Sequence, residues 1–247
     1  MKLVIDKGNT RTKIAVFKGA DMLFLNAVKA LDMPLVCDLF SKYDIKNTIF
    51  STVSGKEKEE IINYLSTHSN LFVMSEDLYL PIQMNYLPKY TLGNDRIAAV
   101  VGAAKIFPKK SVLVIDAGSC ICVDFVNDKL EYKGGSISLG FEMKSKALNT
   151  FTASLPLIDL DNQKVAVCSN NTTDCIKSGI VNGTIFEIQG MIEYYSKQEN
   201  KEFKIILTGG DAEFIARNIE NDNIVEENLV LKGLNTILEY NINKRNV

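Results

Sequence analysis

The stretch Val114-Ile115-Asp116-Ala117-Gly118-Ser119, followed by the mostly apolar run Ile121 to Val126, reproduces Val4-Ile5-Asp6-Lys7-Gly8-Asn9, followed by Ile14 to Phe17. Each copy reads as an apolar strand ending in Asp, a turn of small residues, and a second strand. One copy alone has little weight, because Asp-x-Gly turns are common. Two copies, each opening one half of the chain, predict an internally duplicated α/β fold.

Working outward from the first copy, Met22 to Ala27 reads as a third strand and completes a β-meander. Helical spacing follows over Leu35 to Phe40, then a strand over Thr48 to Val53, then a helix over Glu57 to Leu65 that begins near Ser54. Asp77 to Leu92, with two prolines and three tyrosines, reads as a loop. Asn94 is the predicted cap of a helix that runs to Phe107, where Pro108 stops it. Pro108 with Lys109-Lys110 marks the predicted boundary between domains 1–108 and 109–247.

Outward from the second copy, a strand is predicted at Lys129 to Tyr132, and Gly134-Gly135-Ser136-Ile137-Ser138-Leu139-Gly140 leads into a helix. Thr172 to Tyr195 reads as one long helix. Its apolar Ile176, Ile180, Ile185, Ile188 and Met191 suit either a monomer core or a subunit interface. Phe203 to Leu207 is a predicted strand, Thr208-Gly209-Gly210-Asp211 a turn, Ala212 to Asn218 a helix, and Leu229 to Tyr240 a last helix before a frayed tail, Asn241 to Val247.

Composition narrows the classes. With 247 residues, 46% hydrophobic and 23% charged, the chain is an ordinary soluble globular protein, which excludes disorder, collagen and coiled coil. Lys and Arg number 28 against 30 Asp and Glu, a net charge of -2 that argues against nucleic acid as a partner. The five cysteines, Cys37, Cys120, Cys122, Cys168 and Cys175, include no Cys-x-x-Cys pair, and His68 is the one histidine, which argues against zinc. Cys120, Cys122 and Cys175 read as small core residues and His68 as a surface residue at a helix end. The opening MKLVIDKGNTRTK is no secretory signal, and no run of about 18 apolar residues offers a membrane span. The expectation is a cytoplasmic protein with reduced thiols and no membrane partner.

The chain has no Gly-x-x-x-x-Gly-Lys-Ser/Thr, and no Gly-x-Gly-x-x-Gly opens a helix after a strand, so P-loop and dinucleotide sites are set aside. Polyphosphate can be held differently. A strand-Asp-x-Gly-Asn/Ser hairpin presents backbone N–H groups and hydroxyls at its turn, while the strand-end Asp can hold a hydrated Mg²⁺ beside the phosphates. Two facing hairpins would clamp a nucleotide tail, and a Gly209-Gly210 turn would let backbone approach adenosine closely.

Six motifs stand in sequence as Asp6-Lys-Gly-Asn-Thr10, Gly93-Asn-Asp95-Arg96, Asp116-Ala-Gly-Ser119, Gly134-Gly-Ser-Ile-Ser-Leu-Gly140, Thr172 with Ser178-Gly179, and Thr208-Gly-Gly-Asp211. In order and spacing they resemble the type III pantothenate kinases, of the acetate and sugar kinase, actin and heat-shock chaperone ATPase superfamily. The resemblance covers nearly the whole chain. It implies two ribonuclease-H-like, actin-like ATPase domains with mixed sheets, facing across a nucleotide cleft. It implies ATP-dependent phosphorylation of pantothenate to 4'-phosphopantothenate, the first step of coenzyme A synthesis, by a homodimer that needs Mg²⁺ and a monovalent cation, K⁺ or ammonium. Carried over, Asp6, Lys7, Gly8, Asn9, Thr10, Arg11, Thr12 and Lys13 form the first ATP-binding element, Ser119 touches ATP, and Asp116 is the monovalent-cation ligand. Tyr86, Gly93, Asn94, Asp95, Arg96 and Thr172 contact pantothenate, with Asp95 the base and Thr172 acting across the dimer interface.

Physical chemistry supports the same roles and supplies a plainer one for each residue. Phosphoryl transfer has a loose transition state, so a protein chiefly positions reactants and neutralises charge. A carboxylate such as Asp95 can take the alcohol's proton, and Arg96 can pair with a carboxylate or phosphate through its planar fork. An Asp and Arg in a helix's first turn also serve as end charges. Asp6 and Asp116 are also turn formers, Tyr86 and Tyr90 also loop packing, and Thr172 or Thr173 also helix caps. The chain departs from the resemblance where Ser119, Ile121 and Cys122 replace threonines and where Leu139-Gly140 replaces Pro-Gly, which should loosen that turn. The competing functions are another small-molecule kinase and a nucleotide-binding transcription-accessory regulator.

Overall fold

A computed structural model of the chain describes residues 1–52, 58–88, 91–160, 165–199 and 202–245. Val53, the helix start near Ser54 with Glu57, and Tyr90 lie outside the described residues. Two compact units divide the chain: Met1–Lys109, Val126–Lys133 and Asn228–Val247 in the first, Lys110–Phe125 and Gly134–Glu227 in the second.

The first unit opens with the meander β1 (Lys2–Lys7), β2 (Thr12–Lys18) and β3 (Asp21–Val28). Helix α1 (Met33–Lys42) returns the chain to β4 (Asn47–Thr52), and α2 (Glu59–His68) to β5 (Asn70–Val73). The sheet order is β3-β2-β1-β4-β5. Strand β1 pairs antiparallel with β2 and parallel with β4, as a tight hairpin and a helical crossover require. Leu3 and Ile5 of β1 pack with Val36 and Leu39 of α1 and Ile61 and Leu65 of α2. Then come β6 (Gln83–Met84) and α3 (Asn94–Ile106).

The second unit repeats the plan: β7 (Ser111–Ala117), β8 (Cys120–Val126), β9 (Glu131–Leu139), α4 (Phe141–Phe151), α5 (Thr172–Gln198), β10 (Phe203–Thr208), α6 (Ala212–Ala216) and β11 (Ile224–Val225). Its strand order is β11-β10-β7-β8-β9, with β10 parallel to both β7 and β11. Counted from β7 as strand one, that order is the order of the first sheet. The duplication legible in the two Asp-x-Gly hairpins therefore extends to strand order. Strand β6 pairs with the start of β9 through Gln83↔Glu131 and Met84↔Tyr132, all residues of the first unit.

The chain closes with α7 (Leu229–Arg245), which lies on α3, β1 and β4 of the first unit. Because α1 and α2 cover one face of that sheet and α7 the other, β1 is a continuous apolar run rather than an alternating one. Helices α3 and α7 approach to backbone contact: a Cβ on Gly233 would collide with the Ala98 carbonyl, and one on Gly102 would lie 2.7 Å from Leu229 O. This packing carries Asn228–Val247 into the first unit, whereas the expected division at 108/109 puts those residues in the second.

The predicted frayed tail is instead helix through Arg245. Asn241 is buried there, and its side chain accepts from Tyr79 N at 3.0 Å and donates to Tyr79 O at 2.8 Å. Four further expectations are corrected locally. The cap of α3 is Gly93, and Asn94 is the first helical residue, its Nδ2 donating to Thr52 O at 3.3 Å. Asn171 caps α5 in place of Thr172 or Thr173, its Oδ1 accepting from Asp174 N at 2.9 Å. The glycine-rich run is the end of β9, so Leu139 closes a strand and there is no turn for it to loosen. Cys175 is exposed, its thiol donating to Ser169 O, and is no core residue, while Cys120 and Cys122 are half-buried. His68 sits exposed at the end of α2, stacked on Tyr64.

Candidate functional site

The predicted residues fall into two sets, one in each unit. In the first unit, β1 ends at Asp6-Lys7 and β2 begins at Thr12, and the turn between them is closed by Gly8 N donating to Arg11 O at 3.1 Å. Asn9, Thr10 and Arg11 are exposed at its tip, and Thr12 is buried beneath. Register sets Lys13 of β2 and Ser51 of β4 on either side of Asp6.

Helix α3 brings the second carboxylate. Its first turn carries Asp95, whose Oδ1 accepts from the backbone N of Arg96 at 2.9 Å. That oxygen lies where a side chain on the cap residue would be: a Cβ on Gly93 would stand 2.5 Å from it. The cap is glycine, with no side-chain oxygen of its own, and the Asp95 carboxylate folds over the helix end in its place.

Asp6 and Asp95 act on each other. Asp6 has its pKa pushed up from the ordinary 3.8 to about 6, first because burial strips water from the carboxyl group, and then because Asp95 repels its charge. The Ser51 hydroxyl and the Lys13 ammonium oppose that rise without cancelling it. Asp6 keeps some exposed surface, so protein atoms crowd the carboxyl group rather than enclose the whole residue. Ser51 Oγ is buried and makes no hydrogen bond of ordinary geometry, so its effect on Asp6 comes from proximity.

Arg96 is buried behind Asp95, at 6% exposure, and its Nη2 donates to the Tyr132 hydroxyl at 3.1 Å. The Tyr132 ring in turn lies 6.1 Å, centroid to centroid, from the half-buried Tyr86. The structure thus brings together Asp6, Lys13 and Asp95, and, adjoining them, Arg96 and Tyr86. Sequence reading missed Ser51 and Tyr132. Both stand on strands that it did predict, but the register that pairs Ser51 with Asp6 and the contact of Tyr132 with Arg96 are long-range facts with no local signature.

In the second unit, Asp116 is half-buried near the end of β7, paired in register with Thr208. Ser119 is exposed at the turn into β8, where Gly118 N donates to Cys120 O. Gly140, the cap of α4, donates its N–H to Ser119 O at 2.9 Å, and Asp211 N donates to Ala117 O at 3.0 Å. These three junctions are packed too closely for side chains: a Cβ on Gly140 would collide with Gly118 O and one on Gly209 with Ala117 O. Gly209 also has φ +95°, so its glycine serves the protein's own backbone. Only Gly210 of the pair faces open space. Thr172 opens α5, exposed, on a recess of about 670 Å³ with Leu148, Leu155, Cys175 and Gly179.

Among the described residues no group of three or more His, Cys, Asp or Glu could by itself hold a metal ion. The Asp6 carboxylate, at the end of β1 beside the β1–β2 turn, still fits a hard divalent cation that takes one or two carboxylates and completes its shell with phosphate and water. No helix among those residues is long and apolar enough to cross a membrane.

Residues 2–194 match the model of the type III pantothenate kinase family. A type III pantothenate kinase of Flavobacterium psychrophilum is 38% identical over 244 residues, covering 97% of this chain and 99% of that protein. A solved structure from Campylobacter jejuni, described as a Baf family transcriptional activator, has a TM-score of 0.62 at 22% identity and covers 98% of this chain and 99% of its own. Another, from Sinorhizobium meliloti and described as a 2-dehydro-3-deoxygalactonokinase, has a TM-score of 0.61 at 12% identity, covering 97% and 99%. At such identities these two structures speak to the fold alone, and they bear out two actin-like ATPase domains with mixed sheets.

Proposed function

The chain belongs to the type III pantothenate kinase family, and from that premise we infer how its own residues serve the reaction. The enzyme transfers the γ-phosphoryl group of ATP to the primary hydroxyl of pantothenate and yields 4'-phosphopantothenate, the first step of coenzyme A biosynthesis. The attacking oxygen bonds to the γ-phosphorus as the bond to the β–γ bridging oxygen breaks, and the hydroxyl proton passes to Asp95. The observation that carries this assignment is the Asp95 carboxylate, held over the cap of a buried helix beside Asp6, with Arg96 behind it. A rigid helix can hold a base in one orientation, and that orientation is most of what this reaction asks of a protein.

In the same reading Lys7, Gly8, Asn9, Thr10, Arg11, Thr12 and Lys13 offer amides, hydroxyls and cations to ATP, and Ser119 offers one more hydroxyl. When bound, Mg²⁺ supplies positive charge for the β- and γ-phosphates. Asp6 would hold it, a role supported by a crowded carboxyl group whose ionised form Ser51 and Lys13 compensate only in part. Asp116 would hold K⁺ or ammonium. Tyr86, Gly93, Asn94 and Arg96 would contact pantothenate, Arg96 through its carboxylate, and Thr172 would do so from the other subunit of a homodimer. The outer face of α5 supports dimerisation: Gly179, Gly183 and Gly190 have open space around them, and Phe186 and Tyr194 on the same helix are 59% and 60% exposed. The cytoplasm is the expected compartment.

The test is ADP release by the purified protein with Mg-ATP and pantothenate, run with K⁺ or ammonium and again with Na⁺ alone. Pantothenate-dependent turnover that needs the cation, and that Asp95→Asn abolishes while pantothenate still binds, is the expected result. Full turnover by Asp95→Asn would remove Asp95 as the base.

A further inference from the structure

We propose that Tyr132 is a positioning residue for substrate recognition: its hydroxyl sets the guanidinium plane of Arg96 and its ring backs Tyr86. The inference deepens the proposal above and rests on Arg96 meeting the pantothenate carboxylate. Tyr132 is 2% exposed, so it does not itself reach solvent. It touches both predicted substrate contacts from a third segment of chain, by the 3.1 Å bond from Arg96 Nη2 and by the tilted ring contact with Tyr86. Strand pairing adds a backbone link, since Met84, two residues before Tyr86, is the register partner of Tyr132.

The physical requirement is orientation. A guanidinium recognises a carboxylate best with two parallel N–H···O bonds, which demand that its plane be fixed before the acid arrives. A side chain as long as arginine loses about 2 kcal/mol of rotamer freedom when it is held, and a buried partner that holds it in advance removes that cost from binding. The half-buried Tyr86 ring, packed against the Tyr132 ring whose hydroxyl bonds the guanidinium, suits an organic acid, with an apolar chain behind its carboxylate, better than a phosphate.

The test is Tyr132→Phe, which removes one oxygen and keeps the ring, assayed beside Arg96→Ala, with pantothenate and with its neutral analogue bearing an alcohol in place of the carboxylate. The expected result is a KM for pantothenate raised about five- to tenfold, the size of one ordinary intramolecular hydrogen bond lost from the support of Arg96. With it, kcat and the KM for ATP stay within about twofold, the melting temperature holds, and the preference for the acid over the neutral analogue falls. If Arg96→Ala raises that KM while Tyr132→Phe leaves it unchanged, the positioning role is overturned and the Arg96 reading stands. If neither variant moves it, the Arg96 reading fails and takes the inference with it. A Tyr132→Phe enzyme that loses kcat, both KM values and melting temperature together would show a merely structural residue.

Discussion

Gly93 leaves the space that Asp95 uses: the carboxylate oxygen Oδ1 of Asp95 lies 2.5 Å from where a Cβ at position 93 would be. The backbone at Gly93, φ -58° and ψ 136°, is one that any residue adopts, so the glycine is there for clearance and not for conformation. Gly93→Ala should therefore keep or slightly raise stability, by about 0.4–1 kcal/mol through the unfolded chain. It should cost about tenfold or more in kcat, because the carboxylate must swing off the cap. Melting curves and steady-state kinetics on the same preparation separate the two effects. An alanine variant with unimpaired kcat would show that Asp95 works from another orientation.

The Asp6 carboxyl predicts a pH-dependent stability. Its folded pKa of about 6 lies above the ordinary 3.8, so the folded state holds this proton more tightly than the unfolded chain does. The sign follows: the unligated protein loses stability as pH rises from about 4 to about 6, by at most about 3 kcal/mol, and gains nothing back above that window. Asp6→Asn removes the penalty, so at pH 7 the variant should resist urea better than the natural protein, with the difference vanishing near pH 4. Mg²⁺ with nucleotide should raise stability at pH 7 in the natural protein and much less in the variant. Parallel urea curves for the two proteins throughout that range would disprove the shift.

Adjacent glycines in the second unit should behave oppositely. Gly209 has φ +95° and no room for a Cβ against Ala117 O, so Gly209→Ala should destabilise by about 1–3 kcal/mol or more. Gly210 faces open space, so Gly210→Ala should fold normally, and under the proposed adenosine approach at this turn it should raise the KM for ATP. Denaturant midpoints and ATP titrations distinguish the positions. Equal stability of the two variants would mean that the Thr208–Asp211 turn relaxes freely.

Much of the candidate site is legible in sequence because its parts are local. Asp6, Asp95, Asp116 and Ser119 each stand at a strand end, helix start or turn, and such positions leave marks a few residues wide: Gly-Asn, Gly-x-Asp-Arg, Asp-x-Gly. Caps were harder. Asn94 and Thr172 are good capping types, yet Gly93 and Asn171 hold the caps, since a one-residue shift costs the pattern nothing while the backbone admits only one choice. The Leu139-Gly140 end of the glycine-rich run reads as a turn, and not as the end of β9, because glycine's freedom and glycine's small size look alike in sequence. Here Gly135 is small so that β9 can lie against Val123 of β8.

The sequence by itself determined the duplicated plan, the positions of most strands and helices, and which carboxylates stand at strand ends and a helix start, because each depends on residue type and spacing along a short stretch. Only the tertiary structure decided that α7 belongs with the first unit, that Ser51 and Asp95 crowd Asp6, and that Tyr132 holds Arg96. Each of those depends on segments far apart in the chain meeting in space. Nothing in one segment encodes the register or packing depth of the other, since burial and repulsion act through distance in space.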